Sequence, residues 1–574
     1  MTDKSFNLAS DPWIKVIDDQ NSEQVVSLND LFQNAVHYRQ LAGEMKSQDL
    51  AILRFILAIL TTVYSRYDAH DQPYNWIEMD SDTMRPLSFD DYQMGGEEPE
   101  NDLLDTWQLL YKAKSFSKIV FQYLNCYEDH FDLFNVDTPF YQVTREQYDA
   151  LVPANKSVKK GKGTVAIKQI NRTISESNNK PDVFSPSSCT HKDDMSLAEL
   201  VRWLIAYQNY TAVTDKTKVN AKDKFSVAKG WLYGLNPVFV RGKNIFETLM
   251  LNLVLVPQHL NFSKKLVDQK PVWEFPVESY AQSRIDDLFP QNLAQLYTIW
   301  SRIIHIEWHN GQPTIFSAGL PKLDNEHAFL EPMTTWKNDK KNQEVKPAQR
   351  WLNSLGKAMW RSFGQYVALD YHNGSADDNE PGIVSWMRLL KSRHYLNHDY
   401  SIRLVTAGLI NDGNATSQSP AAEFADDMQI RADVLFDNDP SKQDYWPKGI
   451  EAVIQLTDKL GSLLWHFANN AGKLRGLSDS SDYANKITAR YYEQLNNPFY
   501  EWLASLTNED DRQQKMAEWK DIAKHIVIST AKRLLNAATP QELKGKSVDD
   551  SDDIKNIFVY YRIFRISVTK SLKS

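Results

Sequence analysis

His305 and His309 stand four residues apart with Glu307 between them. Two histidines at that spacing on a helix bind zinc, but the helical motif puts the glutamate directly after the first histidine, and here Ile306 follows it. The run Ile303-Ile304-His305-Ile306-Glu307-Trp308 reads instead as a strand entering a hairpin at Asn310-Gly311, with Thr314-Ile315-Phe316 returning. His394 and His398 repeat the spacing beside Asp399, and a structural role is expected for them. Val165-Ala166-Ile167-Lys168 matches the lysine strand of protein kinases, yet no glycine-rich loop precedes it and neither H-R-D nor D-F-G follows. GxxxxGK[ST] and G-x-S-x-G are both absent. Asp377, Asp378 and Glu380 sit among Asn373, Gly374 and Pro381 and read as an acidic turn. No set of side chains converges on a catalytic role, so no enzyme activity, cofactor or metal is expected.

The other chemistry on offer is positive charge. Lys156, Lys159, Lys160, Lys162, Lys168, Arg172 and Lys180 crowd one stretch rich in Gly, Ser and Asn, with Glu176 among them. Lys216, Lys218, Lys222, Lys224, Lys229, Arg241 and Lys243 form a second stretch, interrupted by Asp223. Such loops hold nucleic acid through phosphate contacts. They converge on one anionic groove or are two unrelated surface loops; the residues alone leave both open.

Several elements must carry these loops. Between the basic stretches, Ser196 to Tyr207 reads as a helix with Leu197, Leu200, Val201 and Leu204 on one face. Trp13 to Val16 and Val25-Val26 read as strands. Ser27 caps a short helix through Leu31 and Phe32, and Ser47-Gln48-Asp49 caps a strongly apolar helix carrying Leu53, Ile56, Leu57 and Leu60. Residues 76–105, acidic but for Arg85, read as a solvated loop. Phe246 to Leu255 is an apolar run, and Trp351 to Trp360 has helical spacing. From Pro447 onward the pattern is helical: Ile450 to Phe467, 481–507 with a kink or restart at Pro498, Met516 to Leu535, and Ile554 to Val568. Four long helices with short connections predict a bundle. The expected class is α+β, with a large mixed α/β N-terminal domain over 1–435 and a C-terminal four-helix bundle over 436–574.

Composition bounds the rest. The 574 residues are 42% hydrophobic and 24% charged, which excludes a disordered or collagen-like chain. With 65 Lys and Arg against 74 Asp and Glu the net charge is −9, so nucleic acid would be held by local patches or within a larger particle. Cys126 and Cys189 form no CxxC pair. Met1 to Trp13 has no apolar signal core, and Leu50 to Val63 is interrupted by Arg54, so a soluble cytoplasmic protein is expected.

Phe6-Asn7-Leu8-Ala9-Ser10-Asp11-Pro12-Trp13-Ile14 resembles the opening of the CasA-type large subunit of the type I-E CRISPR surveillance complex, Cascade. Tyr38-Arg39-Gln40-Leu41-Ala42-Gly43-Glu44 with Gln48 to Arg54 is similar as well. So is Gly230-Trp231-Leu232 running into Gly242 to Leu255. Phe131-Asp132-Leu133-Phe134 with Pro139 to Gln142, and Glu331-Pro332-Met333-Thr334 with Trp336, add to the likeness.

The resemblance implies a non-catalytic subunit that reads the protospacer-adjacent motif (PAM) in duplex DNA, starts strand separation and docks a helicase–nuclease. Its partners would be target double-stranded DNA, the guide-RNA-containing Cascade subunits and that effector. It places a glycine loop at Ser226 to Gly230, where Gly230 is the one glycine and Lys229 offers a side-chain contact. It places a wedge after Ala407-Gly408-Leu409-Ile410, at Asn411, Asp412, Gly413, Asn414 or Gln418, and a lysine probe at Lys337. The family's mobile first loop falls within 156–185, with Asn178, Asn179 and Lys180 as contacts beside Lys156, Lys159, Lys160 and Lys162. A nucleic-acid-processing enzyme with an unrecognised site and a purely structural helical adaptor are the alternatives.

Overall fold

The computed structural model describes residues 5–171, 194–211, 217–258, 260, 263–286, 290–309, 312–323, 328–339, 344–367, 380–410, 422–437, 445–547 and 554–573. The chain divides into two compact units. One comprises Met1–Asn353, Pro381–Tyr395 and Val405–Ala425; the other comprises Ser354–Glu380, Leu396–Leu404 and Asp426–Ser574.

The first unit is built on the helix Lys46–Tyr64, in which every residue from Ser47 to Tyr64 is buried. A helix apolar on all sides has to sit inside a core or a membrane. This one is long and apolar enough to span a bilayer, but 94% of its apolar window is covered by the protein itself. The expected cap at Ser47 is not there. Met45 occupies the cap position without a side-chain bond, and Ser47 lies within the first turn, donating from N and Oγ to Glu423 at 2.7 and 2.6 Å. Ser27 and Ser196 do cap their helices, each in a reciprocal capping box with Asp30 or Glu199.

Residues 76–105, expected as a solvated loop, are largely structured. Ile77–Met79 pairs with Pro86–Phe89, and the helix Glu98–Ala113 buries Leu103, Leu104, Trp107 and Leu110. The acidic composition masked the apolar stripe beneath it. Trp351 to Trp360 is not the expected helix either; it holds the 3-10 turn Leu352–Ser354 and the start of Met359–Gln365.

Two sheets position the loops. In one the order is Thr164–Val165, Gln312–Gly319, Arg302–His309; in the other it is Ala422–Arg431, Ser401–Ile410, Val238–Arg241. The Asn310-Gly311 hairpin strands are present in the expected antiparallel register, with His305 opposite Phe316. A separate hairpin pairs Trp336–Asp339 with Glu344–Pro347.

The second unit contains the long helices Trp446–Arg475, Ser480–Ser505, Arg512–Asn536 and Ile557–Lys573. Pro447 occupies the first turn, where its missing N–H is no loss, and Gly476 at φ +81° ends the helix in the left-handed region. Pro498 does not restart the second helix, which runs through it unbroken. Aromatic packing next to the proline holds that helix: Phe499 stacks on Trp360 at 4.3 Å and meets Trp519 edge-on at 4.9 Å.

Candidate nucleic-acid interface

Strand Gln312–Gly319 and its continuation to Lys322 form the seam of the site. Arg302–His309 covers one edge. On the other edge, Thr164 and Val165 pair with Phe316 and Ile315, and Ser317 N donates to Gly163 O at 3.1 Å. Further along, Gly319 N donates to Thr217 O at 2.9 Å and Val219 N returns a bond to Gly319 O at 3.2 Å. Ala228 N then donates to Leu320 O at 2.8 Å, and Lys322 N to Ser226 O at 2.8 Å. Asn220 N also reaches Leu151 O at 2.8 Å. The described parts of the two basic stretches therefore stand in a row along one strand edge.

Local chemistry turns the lysines outward. Gly161 and Gly163 adopt φ of +60° and +89°, a region that costs glycine little, and so reverse the chain between the lysines and the strand. Val158 and Val165 are buried at 4% and 5% exposure, and Asp149 accepts from Val158 N at 2.6 Å. With these apolar anchors inside, Lys159, Lys160 and Lys162 are exposed and Lys156 is half-buried. Val219 and Ala228 anchor the second stretch in the same way and leave Lys218, Lys222 and Lys224 exposed. Lys218 folds back over the Phe225 ring at 5.1 Å and donates to its carbonyl at 2.8 Å. Among the described residues, no carboxylate pairs with Lys159, Lys160, Lys162, Lys222 or Lys224. The arrangement is a ridge of uncompensated ammonium groups, joined by exposed Lys322.

Gly230 does not lie open on this ridge. It is buried, and a Cβ there would stand 2.2 Å from the Asn209 carbonyl carbon and oxygen and 2.4 Å from Tyr210 N. Close backbone approach to the end of helix Leu197–Tyr210 demands the glycine, so Gly230 anchors the loop and offers no surface for a ligand. Its N–H donates to Thr211 O at 2.9 Å. Lys229, next to it, is half-buried with its ammonium 5.5 Å from the Tyr233 ring centre.

A buried charge network fixes this anchor. Arg54 pairs with Glu331, both fully buried, and donates to Asn209 Oδ1 at 2.5 Å. Trp231 Nε1 donates to the same Glu331 carboxylate at 3.2 Å. The arginine that interrupts the apolar run is thus the tie between the core helix and the turn after Gly230.

Lys337 is exposed on the hairpin, opposite Lys346, while Trp336 beside it is buried and stacked on Phe329 at 4.4 Å. Asn236 holds the foot of this hairpin. Its carbonyl accepts from Thr335 Oγ1 at 2.6 Å, its N–H donates to Ala348 O at 2.9 Å, and its Oδ1 accepts from Arg350 Nε at 3.0 Å and Thr406 Oγ1 at 3.2 Å. The strand leading to residue 411 is thereby joined to the Lys337 hairpin. On the strand Ala422–Arg431, Glu423 accepts from Ser47, and Phe424 lies under the Arg350 guanidinium at 3.4 Å. Asn178, Asn179, Lys180, Asn411, Asp412, Asn414 and Gln418 lie outside the described residues.

The histidine pair is spoken for. His305 Nδ1 lies 2.9 Å from Val143 O, and His309 Nε2 lies 3.3 Å from Glu307, both on a strand. Lys218, Lys222 and Lys224 stood out in the sequence as part of a basic stretch, whereas Lys322 as a contact and Asn236 and Arg350 as supports did not. The backbone bond of Lys322 to Ser226 brings in the lysine, and the bonds of Asn236 to Thr335, Ala348, Thr406 and Arg350 bring in that pair.

The model of the family described as CRISPR-associated protein Cse1 matches residues 7–530. A CasA/Cse1 protein of Thermus thermophilus is 23% identical over 276 residues, an alignment covering 48% of this chain and 43% of that relative's length. Among solved structures, Thermobifida fusca Cse1 superposes with a TM-score of 0.72 at 22% identity, covering 99% of this chain and 98% of that one. Thermus thermophilus CasA (Cse1) gives 0.63 at 16% identity, with 99% of each chain covered. A chain of a CRISPR RNA-guided surveillance complex gives 0.65 at 15% identity, covering 99% of this chain and all of that one. On the strength of the family match over nearly its whole length, the chain belongs to the Cse1 (CasA) family of CRISPR-associated proteins.

Proposed function

We propose that this chain is a non-catalytic subunit of a cytoplasmic, RNA-guided surveillance particle. It recognises the protospacer-adjacent motif in duplex DNA, starts strand separation and offers a docking surface to the helicase–nuclease. The observation that carries the reading is that the two segments bearing exposed Lys159, Lys160, Lys162, Lys218, Lys222 and Lys224 are fastened to one strand edge of an otherwise acidic chain.

Guide pairing supplies most of the sequence information in such a particle, so the protein reads a few base pairs and opens the duplex beside them. The ridge supplies phosphate contacts. Lys337 on its hairpin is the probe, and residues 411–421, which follow the strand that Asn236 joins to that hairpin, are the wedge, with Asn411, Asp412, Asn414 and Gln418 as its contacts. Opening a base step costs about a few kcal/mol, which is offset as the bent duplex lays more of its backbone against the protein. Asn178, Asn179 and Lys180 are further contacts to the target in this reading. Lys229 lends charge from within, and Gly230 holds the backbone in place.

The test is a mobility-shift titration of duplexes that differ only in the flanking motif, using the guide complex with and without this chain. Motif discrimination should appear only when the chain is present. Equal discrimination without it refutes the reading, as does metal-dependent cleavage of DNA by the purified chain.

A further inference from the structure

The sheet that carries the ridge has a second edge. Val143 N donates to Ile304 O at 2.8 Å, so the segment before it runs beside Arg302–His309, away from the lysines. This segment borders a pocket of about 350 Å³, within the size range of small-molecule sites. Its walls include Phe140, Trp273 and Phe275. The Trp273 indole N–H is spent on Tyr123 Oη at 2.9 Å, which leaves an apolar ring for the wall.

Gln142 and Arg85 have hydrogen-bonding capacity to spare in the pocket, as do the buried His130 Nδ1 and Tyr141 Oη. Gln142 is 4% exposed, and its amide nitrogen donates to Leu133 O at 3.0 Å and Phe140 O at 3.3 Å. Those bonds fix the amide, and its Oε1 accepts no hydrogen bond among the described residues. Arg85 is 34% exposed; its Nε donates to Tyr127 Oη at 2.9 Å, and its terminal nitrogens make no hydrogen bond among the described residues. Cations and carboxylates alternate around the pocket, with Asp268 facing Arg66 and Lys270. Buried Glu274 takes Arg66 in a two-pronged pair at 3.0 and 2.8 Å and reaches Arg85 only at 3.5 Å, so two guanidinium groups share one carboxylate. Lys270 adds an ammonium 4.3 Å from the Phe275 ring centre. Glu278, at the exposed rim, is bonded to the Gln147 amide at 2.9 Å.

Aromatic walls, a fixed acceptor and an accessible guanidinium with unbonded terminal nitrogens match a flat, amino-bearing ring that carries an anion. We infer that the pocket binds a nucleotide. The base lies against Phe140, Trp273 and Phe275, an exocyclic amino group donates to Gln142 Oε1, and the phosphate meets Arg85. Binding does not require the ridge, so this inference stands apart from the proposed function. The nucleotide is either free or the unpaired end of a strand.

Titration of the full chain with dCMP, dTMP and deoxycytidine, followed by saturation-transfer NMR and calorimetry, tests it. dCMP should bind, and dTMP should bind about three- to tenfold more weakly because it has no amino group for the buried acceptor. dCMP should exceed deoxycytidine by about tenfold or more through the charged contact, and that ratio should collapse in Arg85→Gln while deoxycytidine affinity is unchanged. Phe275→Ala should weaken all three, with thermal melting checking that both variants fold. A short oligodeoxycytidylate that competes with dCMP and binds more tightly marks a strand end as the source; equal affinity marks the free nucleotide. No dCMP binding at millimolar concentration, equal affinity for dTMP, or an unchanged ratio in Arg85→Gln each overturns the inference.

Discussion

Replacing Lys159, Lys160 and Lys162 together with alanine removes three exposed ammonium groups that no carboxylate compensates among the described residues. Because all three point into solvent and Val158 and Val165 keep their anchors, the fold and its melting temperature should be unchanged. If each lysine meets one phosphate, each contributes about 0.9 to the slope of log affinity against log salt. The variant's slope is then shallower by about 2.7. Between 50 and 200 mM salt, wild type should lose about 40-fold more affinity than the variant, an arithmetic consequence of that slope. The assay is a filter-binding or mobility-shift titration of motif-bearing duplex with the assembled guide complex at four or five salt concentrations. Parallel log–log lines for wild type and variant would show that the ridge does not touch phosphate, and the reasoning from its alignment would fail.

Other consequences follow from the same contacts. Asn411→Ala with Asn414→Ala should slow opening of an intact duplex more than binding to a pre-melted one, read by a fluorescent base next to the motif; equal effects would remove the wedge role. Glu331→Gln strands the fully buried Arg54 charge and should destabilise the first unit by about 3–5 kcal/mol in urea unfolding, while replacing both partners by apolar residues should recover most of it. Gly230→Ala drives a Cβ into the Asn209 carbonyl and should destabilise by about 1–3 kcal/mol in the same assay. Burial alone would raise the Glu44 carboxyl, but the hydrogen bond and charge of Arg202, at 3.1 Å, outweigh it, and with Lys15 they hold the group at about 2 against an ordinary 4.5. Its contribution is therefore complete above about pH 4.5 and lost as pH falls toward 2. The stability gap between wild type and Glu44→Gln should narrow over that window; a constant gap refutes the assignment.

The helical unit was readable because Ile450, Val453, Leu460 and Leu464 recur at helical spacing and each is buried where that spacing puts it. The Asn310-Gly311 hairpin was readable because its signal is local. What failed was governed by competition or distance. Ser47 has the chemistry of a cap, but Glu423, far along the chain, recruits it. Pro498 carries a breaker's signal, yet Phe499 and its neighbours are packed well enough to carry the helix past it. The lysine stretches announced themselves by composition. Whether they meet depended on pairings between residues such as Thr217 and Gly319, which no local pattern encodes. Gly230 was visible as a glycine, but the reason for it, the Asn209 carbonyl, lies on another element.

The seam at Gln312–Lys322 separates what must be kept from what can drift. Among the described residues, backbone bonds at Gly163, Val165, Thr217, Val219, Ser226 and Ala228 fasten the lysine stretches to it. Residues between those fastenings, such as 221–224, are exposed, and doubling the length of such a stretch costs about 0.6 kcal/mol in chain entropy. Evolution can therefore lengthen, shorten or rewrite these outer spans one at a time. The scaffold beneath would not have to be reinvented.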